Sequence, residues 1–101
     1  MIIYSVTVTI DASIEGDWLP WMREVHIPDV MATGYFVESS MQRLLDPKPD
    51  KGTATFNIQY LCKSMAELEA YQKNAAEALQ KDHTERYKGR FAAFRTLLER
   101  L

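Results

Sequence analysis

Thr53-Ala54-Thr55-Phe56-Asn57-Ile58-Gln59-Tyr60-Leu61-Cys62-Lys63-Ser64-Met65-Ala66-Glu67 is the stretch on which the fold turns. Its first ten residues alternate, with Ala54, Phe56, Ile58, Tyr60 and Cys62 on one side and Thr53, Thr55, Asn57 and Gln59 on the other. A period of two with β-branched and aromatic residues is a half-buried strand. Ser64 followed three residues later by Glu67 is a capping box, so a helix begins as the strand ends. Leu68, Tyr71, Ala75 and Leu79 are its expected apolar stripe, and Gly89 its stop.

Working outward, Asp46-Pro47-Lys48-Pro49-Asp50-Lys51-Gly52 reads as a loop before this strand. Tyr35 to Leu45 reads as another strand, and Arg90 to Leu98 as the last. At the N-terminus, Ile2, Tyr4, Val6, Val8 and Ile10 alternate with Ile3, Ser5, Thr7 and Thr9. A helix is expected from an N-cap at Asp17, with Pro20 in its first turn and Trp18, Met22 and Val25 buried. Pro28 predicts a break near Ile27, and Gly34 ends the following turn. The order is β-α-β-β-α-β, an α+β, ferredoxin-like plan in one domain over residues 1–101, with two helices on one face of a four-stranded antiparallel sheet. No repeat between the two halves is visible in the residues.

The 101 residues are 47% hydrophobic and 26% charged, with a formal net charge of -2. A core of this size buries only roughly 60–70% of the unfolded surface, so a second subunit adds stability. The open sheet face, expected to show Ser5, Thr7, Thr9, Thr55, Asn57 and Gln59 with Ile3, Leu61, Val37 and Met41, could be wet or could meet its own copy across a twofold axis. A homodimer is the favoured expectation.

The near-neutral charge argues against nucleic acid, as do Thr53 and Thr55 where an RNA-recognition sheet needs aromatics. No apolar run approaches the roughly 20 residues that span a bilayer, and a cytoplasmic location is expected. Cys62 is the only cysteine and there are two histidines, so no metal site or metal cofactor is expected.

His26-Ile27-Pro28-Asp29 is the polar cluster that carries most information. A histidine three residues from a carboxylate, at the mouth of an apolar cleft, is suited to general-base work, with His26 and Asp29 as the catalytic pair. The same residues could instead cap a helical turn and satisfy a backbone carbonyl. Trp18, Met22, Tyr60 and Arg95 are the candidate ligand-binding residues. Arg95 is a lone cation on the last strand that pairs either with a carboxylate or with an anionic ligand. His83 is read as a cation complementing the C-terminal dipole of its helix. Cys62 is read as a small buried hydrophobe.

The opening Met1-Ile2-Ile3-Tyr4-Ser5-Val6-Thr7-Val8, the stretch from Trp18 to Phe36 that contains His26-Ile27-Pro28-Asp29, the pair Gln59-Tyr60 and the tail Phe91-Ala92-Ala93-Phe94-Arg95-Thr96-Leu97-Leu98-Glu99 resemble a family of small bacterial proteins, a domain of unknown function. More distantly, His26 before Pro28 is similar to dimeric α+β barrel proteins of the EthD and antibiotic-biosynthesis monooxygenase kind. That resemblance implies a ferredoxin-like homodimer with a small-molecule cleft between sheet and helices. It also implies that any enzyme activity is cofactor-independent, of a monooxygenase- or isomerase-like kind. The alternative is a non-catalytic dimeric module that acts through its surface.

Overall fold

Strand β1 (Ile2–Asp11) lies in the interior of the sheet and pairs antiparallel with β3 (Thr53–Cys62) on one side and β4 (Phe91–Glu99) on the other. Strand β2 (Glu38–Arg43) adds to the far edge of β3, giving the order β2-β3-β1-β4. The computed structural model describes all residues from Met1 to Leu101. The plan is the β-α-β-β-α-β arrangement read from the alternation.

Register decides which side chains meet the helices. Tyr4 stands opposite Tyr60, Val6 opposite Ile58 and Val8 opposite Phe56. These residues face the helices, and residues opposite one another in an antiparallel ladder share a face. Phe56, Ile58, Ile10, Trp18 and Leu68 are fully buried there. Each such side chain contributes roughly 1.5–3 kcal/mol through burial. The core is nonetheless small, with 19 of 101 residues buried.

Helix α1 opens from a single 3-10 turn (Ala12–Ile14) and runs as Glu15–Trp21, a π-helical turn Met22–His26, and Ile27–Ala32. It therefore starts before Asp17, which is inside the helix and accepts a hydrogen bond from the Tyr87 hydroxyl at 2.7 Å rather than capping. Pro20 also lies inside the helix; it and Gly16, whose carbonyl it leaves unbonded, are both exposed, so water can take that carbonyl. The expected break at Ile27 does not occur. The Ile27 N–H reaches back five residues to the Met22 carbonyl, and Pro28, which has no N–H to offer, falls at the start of the next α-helical segment. Gly34, with φ +82°, ends the helix in the left-handed region.

The π turn also moves the buried stripe. In an unbroken α-helix, His26 would sit about 80° around from Trp18 and Val25 nearly beneath it. The wider turn instead aligns Trp18, Met22, His26 and Val30 and leaves Val25 42% exposed. Helix α2 (Met65–Tyr71, the π turn Gln72–Ala76, then Glu77–Arg86) repeats the device. In both helices the π turn follows an α segment of seven residues, a structural repeat that the sequence does not show. There it buries Ala76 in place of the expected Ala75. Ser64 caps α2 as read, accepting from the Glu67 N–H at 3.3 Å.

Two other expectations change. The second strand is shorter than 35–45, because Phe36 leaves the ladder to pack among Tyr4, Tyr60 and Tyr71. Met41 pairs with Ile58 and so lies on the helix-covered face, not the open one. The open face is knitted by polar pairs, with Thr9 and Thr55 hydroxyls 2.8 Å apart and Asn57 Nδ2 donating to Ser5 Oγ at 2.8 Å. β4 adds Phe94 and Leu98 to it, 62% and 43% exposed. No helix is long and apolar enough to cross a membrane.

Candidate functional site

Between the helices and the inner face of β1, β3 and β4 lies a cleft of about 530 Å³, its open mouth included. Met22 and His26 from α1, Tyr60 from β3, His83 from α2 and Arg95 from β4 all line it. Organic ligands commonly occupy clefts of roughly 300–1,000 Å³ lined by apolar groups and a few placed polar ones. The walls here are mainly Val, Ile, Leu and aromatic, and no acidic side chain is among them.

His26 is half-buried and stacks on Trp21, ring centroids 5.2 Å apart. Neither of its ring nitrogens hydrogen-bonds to the protein, so it does not serve a backbone carbonyl. Burial holds its pKa below the usual histidine value and Arg95 adds to this, while Asp29 and Asp82 oppose it. Asp29 is exposed, makes no hydrogen bond to His26 and does not line the cleft; only its charge reaches the imidazole.

His83 is the residue that sequence reasoning misplaced. It is buried, 5.7 Å from His26 between ring centroids. The indole Nε1 of Trp18 donates to its Nε2 at 2.9 Å. An indole N–H only donates, so Nε2 carries no proton and the neutral ring bears its hydrogen on Nδ1. No protein acceptor takes that hydrogen, and no buried side-chain nitrogen is left unpaired, so Nδ1 reaches open space, which beside His83 is the cleft. Burial, the neighbouring His26 and Arg95 push its pKa down to about 4. His83 is thus a neutral donor at neutral pH, not a cation answering a helix dipole. Trp18, expected on the cleft wall, is fully buried behind it and touches His83 and Phe56 instead.

Arg95 stands opposite Val6 on the inner face of edge strand β4, at the cleft's mouth. Its Nε donates to the Tyr4 hydroxyl at 2.9 Å. Arg43, Arg86 and Arg90 each face a carboxylate, whereas Arg95 has none. Tyr60 and Tyr71 complete this end, and burial raises the pKa of both, that of Tyr71 to about 12. Both hydroxyls therefore stay protonated and can donate. The cleft thus combines an unanswered cation, neutral donors and a free imidazole in an apolar slot. No three His, Cys, Asp or Glu side chains converge anywhere in the chain to hold a metal.

The fold is shared with solved structures at low identity. An EthD family protein from Bacillus halodurans C-125 matches with a TM-score of 0.68 at 11% identity, over 100% of both chains. An antibiotic biosynthesis monooxygenase matches at 0.70 and 14%, over 100% of this chain and 99% of that one. A dimeric ferredoxin-like protein from an uncultured marine organism matches at 0.71 and 10%, over 100% and 95%. At such identities the likeness establishes the ferredoxin-like fold alone. No curated protein matches the chain. One family model matches all of residues 1–101, and by that match the chain belongs to the family described as Domain of unknown function (DUF4286).

Proposed function

We propose that this protein is a homodimer that binds a small organic molecule in the cleft beside His26. The observation that carries the reading is His26 itself: an imidazole inside an apolar cleft with both ring nitrogens unclaimed by the protein. A buried polar group without a partner costs roughly 1–3 kcal/mol. His26 is half-buried and open to the cleft, so water meets its nitrogens when the cleft is empty, and a ligand with polar groups can take that water's place. In this reading Met22 and Tyr60 form the apolar wall, Arg95 meets a polar or anionic end, and Trp18 contributes by fixing His83. If the bound molecule reacts, His26 is the proton acceptor, and Asp29 supports its cation through space.

The dimer rests on the open face. Phe94 and Leu98 are exposed there beside Ile3 and Leu61, and structurally similar proteins are described as dimeric. A second copy covering this face leaves the cleft untouched on the other side of the sheet. The same exposed apolar groups also favour the other reading, a non-catalytic module whose only work is done by this face. Native mass spectrometry of protein purified from its own host separates the two. Dimers that retain a small organic molecule support the cleft reading, and dimers of bare polypeptide mass support the module.

A further inference from the structure

We infer that the cleft admits its ligand as an organic anion together with one proton from solvent, and that His26, not His83, receives that proton. The inference rests on the reading of the cleft as a small-molecule site, and it adds the ligand's chemical class and its coupling to pH.

Arg95 carries the only fixed charge lining the cleft, no carboxylate answers it, and the hydroxyl of Tyr4 is its one hydrogen-bond partner. A guanidinium that no carboxylate answers, set beside tyrosine hydroxyls, selects a carboxylate, enolate or phenolate over a neutral or cationic group. An anion placed there adds a negative charge next to two imidazoles that are neutral in the empty cleft.

Only one of those rings is free to respond. Protonating His83 would set an N–H against the indole N–H of Trp18 across 2.9 Å and leave a fully buried donor without an acceptor. His26 has no such tie. Asp29 on its own helix and Asp82 on α2 both favour its cation, His83 on α2 faces it as a neutral ring, and Arg95 on β4 disfavours the cation. Burial is what chiefly holds His26 neutral, and the ligand's charge works against it by offsetting Arg95, the one opposing charge, and by adding its own attraction for the imidazolium to that of Asp29 and Asp82. The balance is simple: a solvent proton forms an N–H bond on His26, and the anion's charge is compensated inside the site.

The test is titration calorimetry of the whole protein with 2-naphthoate, in buffers of low and high ionisation enthalpy at about pH 7.5. Uptake approaching one proton is expected in the wild type, with affinity rising up to about tenfold per unit fall in pH. His26→Gln should bind with no uptake and a flat pH profile. His83→Gln, whose side-chain oxygen can accept from Trp18, should keep the uptake. Nitrogen-detected histidine spectra of the wild type give the same answer without a variant, since only His26 should become doubly protonated on binding. Binding without proton uptake, or uptake that survives His26→Gln, overturns this inference alone. No binding of 2-naphthoate overturns the small-molecule reading beneath it.

Discussion

Arg95 donates through Nε to the hydroxyl of Tyr4 at 2.9 Å, joining β4 to β1 at the mouth of the cleft, and no carboxylate of the chain lies against it. An exposed edge-strand side chain with one neutral partner contributes little to folding. Arg95→Met should therefore change the unfolding free energy by no more than about 0.5–1 kcal/mol. It should weaken binding of 2-naphthoate by tenfold or more, because a charge-assisted contact is lost. Urea denaturation and calorimetry on the same preparation check both halves.

His83 makes stability depend on acid. Its folded pKa of about 4 lies below the ordinary histidine value of about 6.5. Above that ordinary value neither state holds the extra proton. Between the two values the unfolded chain binds a proton that the folded chain refuses, so stability falls with pH and levels off below the folded value. The loss should be on the order of 1–3 kcal/mol. Comparing urea midpoints at neutral pH and near pH 4.5 in wild type and His83→Gln isolates it, since the variant should lack this component.

The π turn in α1 behaves as one residue absorbed by a helix. Removing Val25, which is 42% exposed, should let 22–26 close into ordinary α-helix while Trp18, Met22, His26 and Val30 keep their common face. The deletion variant should fold, lose no more than about 2 kcal/mol, and keep the His83 tautomer set by Trp18. Thermal melts and histidine nitrogen spectra report these. A chain that fails to fold would show that the π turn is needed for packing and not merely tolerated.

Phe94 is 62% exposed on the open sheet face, opposite Thr7. A charge there should not disturb the monomer's core but should disfavour a second copy. Analytical ultracentrifugation is expected to show a wild-type dimer at micromolar concentration and a Phe94→Asp monomer with an unchanged circular dichroism spectrum. A monomeric wild type would contradict the homodimer.

The strand from Thr53 and the cap at Ser64 are legible because their signals are local. Alternation from Thr53 to Cys62 and the Ser64–Glu67 spacing each mark an element without help from the rest of the chain. The π turns were not legible, because any helical reading assumes a fixed period and nothing in Met22–His26 announces a wider turn. At a fixed α-helical period Val25 falls on the buried stripe. Met41 lies on the helix-covered face because β2 begins only at Glu38, after Phe36 has left the ladder, and an alternation counted through Phe36 inverts every side chain beyond it. At the site, His26, Met22, Tyr60 and Arg95 were brought together on one cleft, while Asp29 and Trp18 were not. His83 was missed because its defining partner, Trp18, is 65 residues away in sequence. The only available hint was its four-residue spacing from Leu79, which places it on the same apolar stripe.

The central claim is that the space beside His26 is where a ligand sits. Chemical-shift mapping of the isotope-labelled protein during titration with 2-naphthoate tests it most directly. The account predicts saturable changes confined to Met22, His26, Tyr60, His83, Arg95 and their neighbours. Saturable changes centred on the open face around Thr7 and Phe94, or no changes at all, would contradict it.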